Sequence, residues 1–160
     1  MDLMLKDKVV LVTGGTGGIG TAIVKGFLAE GAKVAFSSTS QAKIDALLPK
    51  LNAAEGQVAG FVADMNKEED IRNLVECAKA KFGTLDIIVP NAGYEGKAHP
   101  VQDMTLELFE QTYMLNVFSV MLLLKYAAPT LIEKKSGSVV VVASAAAYEP
   151  TAGNSAYVSS

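Results

Sequence analysis

The sequence predicts an α/β fold in which one parallel β-sheet is covered by helices on both faces. Short runs of apolar and β-branched residues alternate with longer segments of helical period along the 160 residues. The apolar runs are nearly continuous, which is typical of strands that are buried on both faces of a parallel sheet. Helical segments between such strands pack on the two faces of the sheet.

Five apolar runs predict the strands, and four segments with apolar residues at helical spacing predict the helices between them. The predicted strands are Lys8–Thr13, Lys33–Ser37, Val58–Ala63, Asp86–Pro90 and Ser138–Ala143. The predicted helices are Gly18–Glu30, Gln41–Ala54, Lys67–Phe82 and Leu106–Ile132, the last expected as one short and one long element. Pro49 is expected to kink or split the second helix, and a further helix is expected to begin at Ser155.

Joined by right-handed crossovers, these elements correspond to a Rossmann-type doubly wound parallel sheet. The chain has no internal repeat and no low-complexity linker. We therefore expect residues 1–160 to be a single domain, or part of one.

The composition argues against several function classes. The net charge of −3 and the pI near 5.2 give no basic surface for nucleic acid. The N-terminus MDLMLKDK lacks the apolar run of a secretory signal. The stretch from Val117 to Leu124 is followed by Lys125 and is too short to span a bilayer, so no membrane partner is expected.

Cysteine and histidine are too few for a disulfide or a metal site. The single cysteine, Cys77, fits a reducing, cytoplasmic location, and we expect it to be a small apolar residue packed on a helix. One cysteine and one histidine, His99, do not supply a metal-ligand cluster.

The loop "VTGGTGGIG", Val12–Gly20, joins the first predicted strand to the first predicted helix. Two glycine patterns overlap there: G-x-G-x-x-G at Gly15, Gly17 and Gly20, and T-G-x-x-x-G-x-G at Gly14, Gly18 and Gly20. Glycines let the backbone approach a pyrophosphate, which the first turn of the helix then binds. The alternative is a glycine-rich turn that serves only close packing of strand and helix.

The second glycine pattern resembles the classical short-chain dehydrogenase/reductase family, and later residues repeat the resemblance. "NAG" at 91–93 follows the fourth strand, where the family carries N-N-A-G, although Pro90 replaces the first asparagine. Asn116 lies within the long helix, like the asparagine of the family's catalytic tetrad. Ser144 follows the fifth strand and Tyr157 comes 13 residues later, as in the family's Ser…Tyr-x-x-x-Lys motif. The resemblance covers essentially the whole chain.

The resemblance implies an NAD(P)-dependent oxidoreductase that interconverts a small-molecule carbonyl and a secondary alcohol. Tyr157 would be the general acid/base, Ser144 would bind the substrate oxygen, and Asn116 would hold a water of the proton relay. Buried tyrosines and serines also commonly satisfy backbone groups alone. A non-catalytic dinucleotide-binding regulatory or interaction module therefore remains the alternative.

The resemblance also assigns the cofactor contacts. The eleven residues are Gly14, Thr16, Gly18, Ile19, Gly20, Ser38, Thr39, Asp64, Asn91, Ala92 and Gly93. Asp64 would bind the adenine; otherwise it is a solvated loop acid or a cap for the helix that begins near Lys67.

The end of the second strand favours NADP over NAD. In Rossmann sites an acidic residue there binds the ribose 2′-hydroxyl of NAD, whereas the residues 36–40 read F-S-S-T-S. The hydroxyls of Ser38, Thr39 and Ser40, with Lys43 nearby, suit a 2′-phosphate, as in the similar 3-oxoacyl-carrier-protein reductases. Against this, no basic residue occupies the glycine loop.

Members of the family continue past the tyrosine with a lysine and two further strands. We therefore expect these residues to be the N-terminal portion of a longer protein, with a lysine directly after Ser160 and the C-terminal strands missing. We expect no turnover from the 160-residue chain alone. The apolar run Val139–Val142 is expected to be an exposed sheet edge. The long helix is apolar on more than one side and so favours burial on both sides. In the family this helix packs at a dimer interface, so the resemblance implies a homodimer or homotetramer when full length.

The substrate itself is not specified by the sequence. The segment 94–103 carries Tyr94, Glu95, Lys97 and His99, a mixed set that indicates no single substrate class. Tyr94 and Tyr148 are expected near the site, either as pocket residues or as surface aromatics.

Overall fold

A computed structural model describes residues 3–160. It contains one five-stranded parallel sheet with the strand order β3-β2-β1-β4-β5. The strands are β1 Val9–Val12, β2 Lys33–Ser38, β3 Val58–Val62, β4 Ile87–Val89 and β5 Ser138–Val139. This order, with the first strand in the centre, is that of a Rossmann-type sheet, so the predicted fold class is confirmed.

Six α-helices accompany the sheet: α1 Gly18–Ala29, α2 Gln41–Leu47, α3 Glu68–Phe82, α4 Leu106–Tyr113, α5 Ser119–Lys134 and α6 Ser155–Val158. The expected split at Pro49 is confirmed, because α2 ends at Leu47 and a 3₁₀ turn, Leu48–Lys50, follows. Short 3₁₀ turns also occur at Val101–Asp103 and Ala145–Ala147. A π-helical turn, Met114–Phe118, joins α4 to α5.

A hydrophobic core lies on each face of the sheet. Alternate residues of β1 supply both: Val10 and Val12 pack with α1 and α2, whereas Val9 and Leu11 pack with α3 and α5. All four side chains are at most 2% exposed. Burial on both faces explains why the strand sequence shows no polar alternation.

The termini of α3 carry charges that suit the helix dipole. Acidic residues occupy the first turn at 68–70, and Lys79 and Lys81 occupy the last. Gly83, at φ +82°, then ends the helix in the left-handed conformation that glycine adopts readily.

The expectation for Cys77 is wrong. The core-facing positions of α3 are Ile71, Leu74, Val75 and Ala78, a stripe of helical spacing. Cys77 lies outside this stripe, and its side chain is exposed.

The fifth strand is shorter than the predicted Ser138–Ala143. The N–H groups of Val140 and Val142 still donate to the carbonyls of Ile88 (3.0 Å) and Pro90 (2.9 Å). In a parallel ladder the return bond to Val140 would come from residue 90, and proline has no N–H to donate. The run lies at the sheet edge as expected, with Val140 55% exposed.

The helical rod from Leu106 to Lys134 is 29 residues long, and an 18-residue stretch within it has a mean hydropathy of 1.6, long and apolar enough to cross a membrane. Length and composition alone are weak grounds, because core helices meet the same criteria. Leu123 and Ala127 of this rod are fully buried in the hydrophobic core that also contains the apolar face of α3. Phe118 and Met121, by contrast, are more than half exposed.

A partly exposed ion pair at the start of β4 links this strand to β1 and α5. Asp86 accepts the N–H of Val9 (2.8 Å) through one carboxylate oxygen and pairs with Lys134 through the other. Burial alone would raise the pKa of Asp86, but the hydrogen bonds from Lys134 and Val9 outweigh it and hold that pKa below its usual value of 3.8.

Asp86→Asn is expected to reduce the acid sensitivity of the fold. Because the folded-state pKa of Asp86 is lowered, its carboxylate stabilises the fold above the unfolded pKa, and this contribution is lost as the pH falls through the folded value. Urea unfolding at about pH 6 and about pH 3 measures the loss, which we expect to be about 1 kcal/mol smaller in the variant. Asp103→Asn, at an exposed carboxylate, is the control. Equal acid sensitivity of Asp86→Asn and the wild type would contradict this role.

The turn between β1 and α1 leaves no space at Gly20. An added Cβ would lie 2.2 Å from the carbonyl oxygen of Gly14 and 2.9 Å from Nδ2 of Asn91. Gly26 lies at an exposed position in the middle of α1, where an added Cβ meets nothing within 4 Å.

Gly20 and Gly26 of α1 should therefore respond to alanine with opposite signs. Gly20→Ala should lower the free energy of unfolding by about 1–3 kcal/mol, because backbone must shift. Gly26→Ala should raise it by about 0.5–1 kcal/mol, since alanine is the better helix former. Chemical denaturation compares the two variants, and destabilisation by both would show that the packing at Gly20 is not the cause.

Candidate active site

The glycine loop is held against the end of β2. The N–H of Gly15 donates to the Ser37 carbonyl (2.8 Å), and the N–H of Gly14 donates to the Ser37 hydroxyl (3.2 Å). Gly14 has φ +67°, which the turn needs and a larger residue resists. These bonds fix the loop at the carboxyl edge of the sheet.

The first turn of α1 has its N–H groups available for a ligand. Its N-cap residue, Gly17, makes no side-chain cap bond, and the first turn contains no acidic residue. Uncapped N–H groups at the amino end of a helix bind anions such as phosphate.

A buried threonine joins the ends of β1 and β4. The Thr13 hydroxyl accepts the N–H groups of Asn91 and Ala92, both at 3.0 Å. The Asn91 amide in turn donates to the Thr13 carbonyl (2.8 Å). The N-A-G segment is therefore placed directly beside the glycine loop.

A cleft of about 510 Å³ opens above these strand ends. All eleven residues that were assigned to the cofactor line it. Its volume and its place at the carboxyl ends of parallel strands are those of ligand sites in open α/β sheets. The contacts themselves remain predictions.

Other residues of the cleft were not among these eleven. They are Gly17, Ser37, Lys43, Ala63, Met65, Asn66 and Leu115. Most adjoin a predicted residue at a strand end, so strand position alone could have found them. Leu115 comes from the π-helical turn, which no pattern in the sequence predicts. Among the described residues that line the cleft, Lys43 is the one cation and Asp64 the one carboxylate.

The Asp64 carboxylate closes a turn rather than capping α3. It accepts the backbone N–H (3.0 Å) and the side-chain amide (2.9 Å) of Asn66. These two bonds hold the pKa of Asp64 below its usual value, and Lys67 adds a smaller attraction. The N-cap residue of α3 is Lys67, which has no side-chain cap bond. Asp64 therefore faces the cleft ionised near neutral pH.

Two hydroxyls meet at the edge of the cleft nearest α2. Thr16 Oγ1 and Ser38 Oγ lie 2.8 Å apart, and Ser38 Oγ also accepts the N–H of Ser40 (3.3 Å). The Ser40 hydroxyl accepts the N–H of Lys43, and this bond caps the amino end of α2. This chain of bonds orients Lys43 relative to the end of β2.

The Asn116 side chain is held by hydrogen bonds to the backbone of Tyr94 and to the side chain of Ser160. It lies in the π-helical turn, a form common at functional sites. Its Oδ1 accepts the N–H of Tyr94 (2.9 Å), and its Nδ2 donates to the Tyr94 carbonyl (3.0 Å) and to Ser160 Oγ (2.9 Å). Both amide hydrogens are thus engaged by the protein, which leaves one lone pair of Oδ1 for a water.

Ser144 and Tyr157 are not among the residues that line the cleft. Ser144 Oγ accepts the N–H of Ala146 (3.2 Å), so its own hydrogen is available to another acceptor. Tyr157 lies on α6 and lines a second, smaller cavity. Within residues 3–160 its hydroxyl has no hydrogen bond, and none joins it to Ser144.

Tyr94 and Tyr148, which were expected near the site, differ in exposure. Tyr94 is 46% exposed and lines the small cavity with Tyr157. Tyr148 is 90% exposed and is a surface aromatic. Across residues 3–160 no three histidine, cysteine or acidic side chains lie together as a metal site requires.

Known proteins match this chain along nearly all of its length. Human dehydrogenase/reductase SDR family member 4 is 37% identical over 153 residues, which are 96% of this chain and 55% of that protein. (+)-Borneol dehydrogenase 2 of Salvia officinalis is 35% identical over 161 residues, covering 100% of this chain and 56% of that protein. The chain thus spans a little over half the length of these curated relatives.

Solved structures match equally well. The NADH-dependent reductase A1-R′ complexed with NAD has a TM-score of 0.91 and 30% identity, over 99% of this chain and 69% of its own. A levodione reductase has a TM-score of 0.90 and 31% identity, over 96% of this chain and 60% of its own. A family model described as short chain dehydrogenase matches residues 8–160. The chain therefore belongs to the short-chain dehydrogenase family, whose characterised members are oxidoreductases.

Proposed function

We propose that this protein is an NAD(P)-dependent oxidoreductase that interconverts a carbonyl and a secondary alcohol, with Tyr157 as general acid/base. The observation that carries the proposal is the cleft at the carboxyl edge of the sheet, which all eleven predicted cofactor residues line. The bound dinucleotide would supply or accept the hydride.

The residues of the cleft suit a dinucleotide. The uncapped N–H groups at the start of α1 suit its pyrophosphate. Gly93 and Ala92 carry little or no side chain, which permits close approach of a flat ring. Asp64, ionised, is an acceptor for the adenine amino group.

Proton transfer in the proposed reaction falls to Tyr157 and Ser144. The Tyr157 hydroxyl would give its proton to the carbonyl oxygen as the carbonyl carbon is reduced, and would be left as a phenolate. The free hydrogen of Ser144 Oγ would be donated to the same oxygen. We propose that a lysine follows Ser160, four residues after Tyr157, where its ammonium would favour the phenolate.

Tyr157→Phe tests this assignment in the full-length protein. Loss of the hydroxyl should lower carbonyl reduction by about 10²–10⁴-fold, because no proton donor replaces it. Binding of the dinucleotide, measured by calorimetry, should stay within about twofold. Tyr148→Phe, at a 90% exposed tyrosine, is the matched control. Turnover by Tyr157→Phe at the wild-type rate would refute the role.

One observation favours the alternative, a dinucleotide-binding module without catalysis. Asn116, Ser144 and Tyr157 do not line the large cleft, and Tyr157 lines the smaller cavity instead. Dinucleotide binding with no reduction of any carbonyl by the full-length protein would support this alternative.

We propose NADP rather than NAD as the preferred dinucleotide. Solved relatives include proteins named with NAD or NADH, so the proposal rests on this chain's own residues. The end of β2 carries the hydroxyls of Ser38 and Thr39, and Lys43 stands beside them. The 2′-phosphate of NADP would accept hydrogen bonds from these hydroxyls and pair with the lysine. The 2′-hydroxyl of NAD would find no carboxylate there to accept its hydrogen bond.

Cofactor titration decides between NADPH and NADH. We expect NADPH to bind about tenfold or more tightly than NADH. Lys43→Gln should weaken NADPH by about threefold to tenfold and leave NADH within about twofold. Lys25→Gln, an exposed lysine on α1 outside the cleft, should change neither. Tighter binding of NADH by the wild type would end the NADP proposal.

We further propose a cytoplasmic homodimer or homotetramer. Exposed apolar residues of the long helix, among them Phe118 and Met121, support self-association. Sedimentation of the full-length protein as a monomer would contradict it.

A further inference from the structure

The segment 94–103 is tied to the turn that precedes α6. The N–H of His99 donates to the Gly153 carbonyl (2.9 Å), and the Asn154 amide donates to Oε1 of Glu95 (3.1 Å). We call these four residues, Glu95, His99, Gly153 and Asn154, the clasp. They are separate from the residues that line the large cleft.

Asn154 has an unusual role for its position. It is the N-cap residue of α6, yet its side chain makes no cap bond. Asparagine is among the best N-cap residues, because its side-chain oxygen accepts an N–H of the first turn. In this structure the side chain is directed to Glu95 instead. The short helix that carries Tyr157 is therefore left uncapped by the bond that closes the clasp.

The contact between the two segments is close at Gly153. This residue has φ +87°, and an added Cβ would lie 3.2 Å from Cβ of Ala98 and 3.5 Å from the N of His99. Only glycine fits this conformation and this spacing without strain.

The clasp closes a small cavity next to Tyr157. The cavity has a volume of about 10 Å³, room for no more than one water. Its walls include Tyr94, Met104, Leu108, Thr112 and Tyr157. Movement of the segment 94–103 away from α6 is the direct way to enlarge it.

We propose that Glu95 is a positioning residue that acts on Tyr157 through Asn154. With the clasp closed, the Asn154 amide binds Glu95, the segment 94–103 covers the cavity, and α6 lacks its cap. With the clasp open, Asn154 caps α6, and the cavity enlarges beside the Tyr157 ring. Asn154 has a partner in both states, so a small bias selects between them. The link to catalysis rests on the proposed function of Tyr157; the two states of the clasp do not.

Hydrogen exchange of the full-length protein tests the clasp. Glu95→Ala should raise the exchange of amides in the segment 94–103 by about fivefold or more, because a charge-assisted bond is lost. Glu95→Gln should stay within about twofold of the wild type, since its amide oxygen accepts the same bond. Glu110→Ala, at an exposed glutamate of α4, is the control and should leave the segment unchanged.

Asn154→Asp separates positioning from a general loss of structure. A carboxylate caps α6 but cannot donate to Glu95. We expect exchange of the segment 94–103 to rise while exchange of the α6 amides falls. The NMR signals of the Tyr157 ring should shift in the same direction in Asn154→Asp and Glu95→Ala, and remain in place in Glu95→Gln.

Three results would overturn the proposal: wild-type exchange in Glu95→Ala, no rescue in Glu95→Gln, or faster exchange of both regions in Asn154→Asp. NADPH binding serves as the separate readout of the cofactor cleft and should be unaffected by these variants. A wild-type protein that binds no dinucleotide would contradict the proposed function, while the exchange results would still decide the clasp.

Discussion

The buried hydroxyl of Thr13 accepts the N–H groups of both Asn91 and Ala92, and the cleft depends on this junction. Parallel strands end at one edge of a sheet, where ligands bind in the crevice between neighbouring strand ends. Thr13 joins the two central strands, while Ser37 holds the glycine loop against the next strand through its carbonyl and its hydroxyl. Close contact of Gly20 with Gly14 then starts α1 directly over the junction.

Much of this arrangement could be predicted because it is local in sequence. The continuous apolar runs predict two-sided burial, and the glycine loop occurs between a strand and a helix, where it has a physical purpose. The cofactor residues stand at strand ends, so the strand order brings them to one cleft. The roles of Ser144 and Tyr157 came from resemblance alone, and their geometry here neither joins them nor places them in the cleft lining.

Features that depend on distant partners could not be predicted. The length of β5 is limited by Pro90 on the neighbouring strand, which is 48 residues before Ser138. The exposure of Cys77 follows from the phase of α3, which is fixed by what the helix packs on. The clasp pairs Glu95 with Asn154, and neither residue has a sequence signal that names the other. Each of these features depends on a contact between two segments, and the hydrophobic periodicity of one segment does not reveal its partner.

The π-helical turn at Met114–Phe118 determines which side chains of α4 and α5 face the core. Such a turn is equivalent to one residue inserted into an α-helix, and each added residue rotates everything beyond it by about 100°. α4 and α5 therefore present two different faces of what would otherwise be one continuous rod. The face of α5 that reaches the core, at Leu123 and Ala127, is set by that rotation. The same turn carries Asn116, whose amide oxygen accepts the N–H of Tyr94, so the segment after β4 is attached at the point where the two faces change.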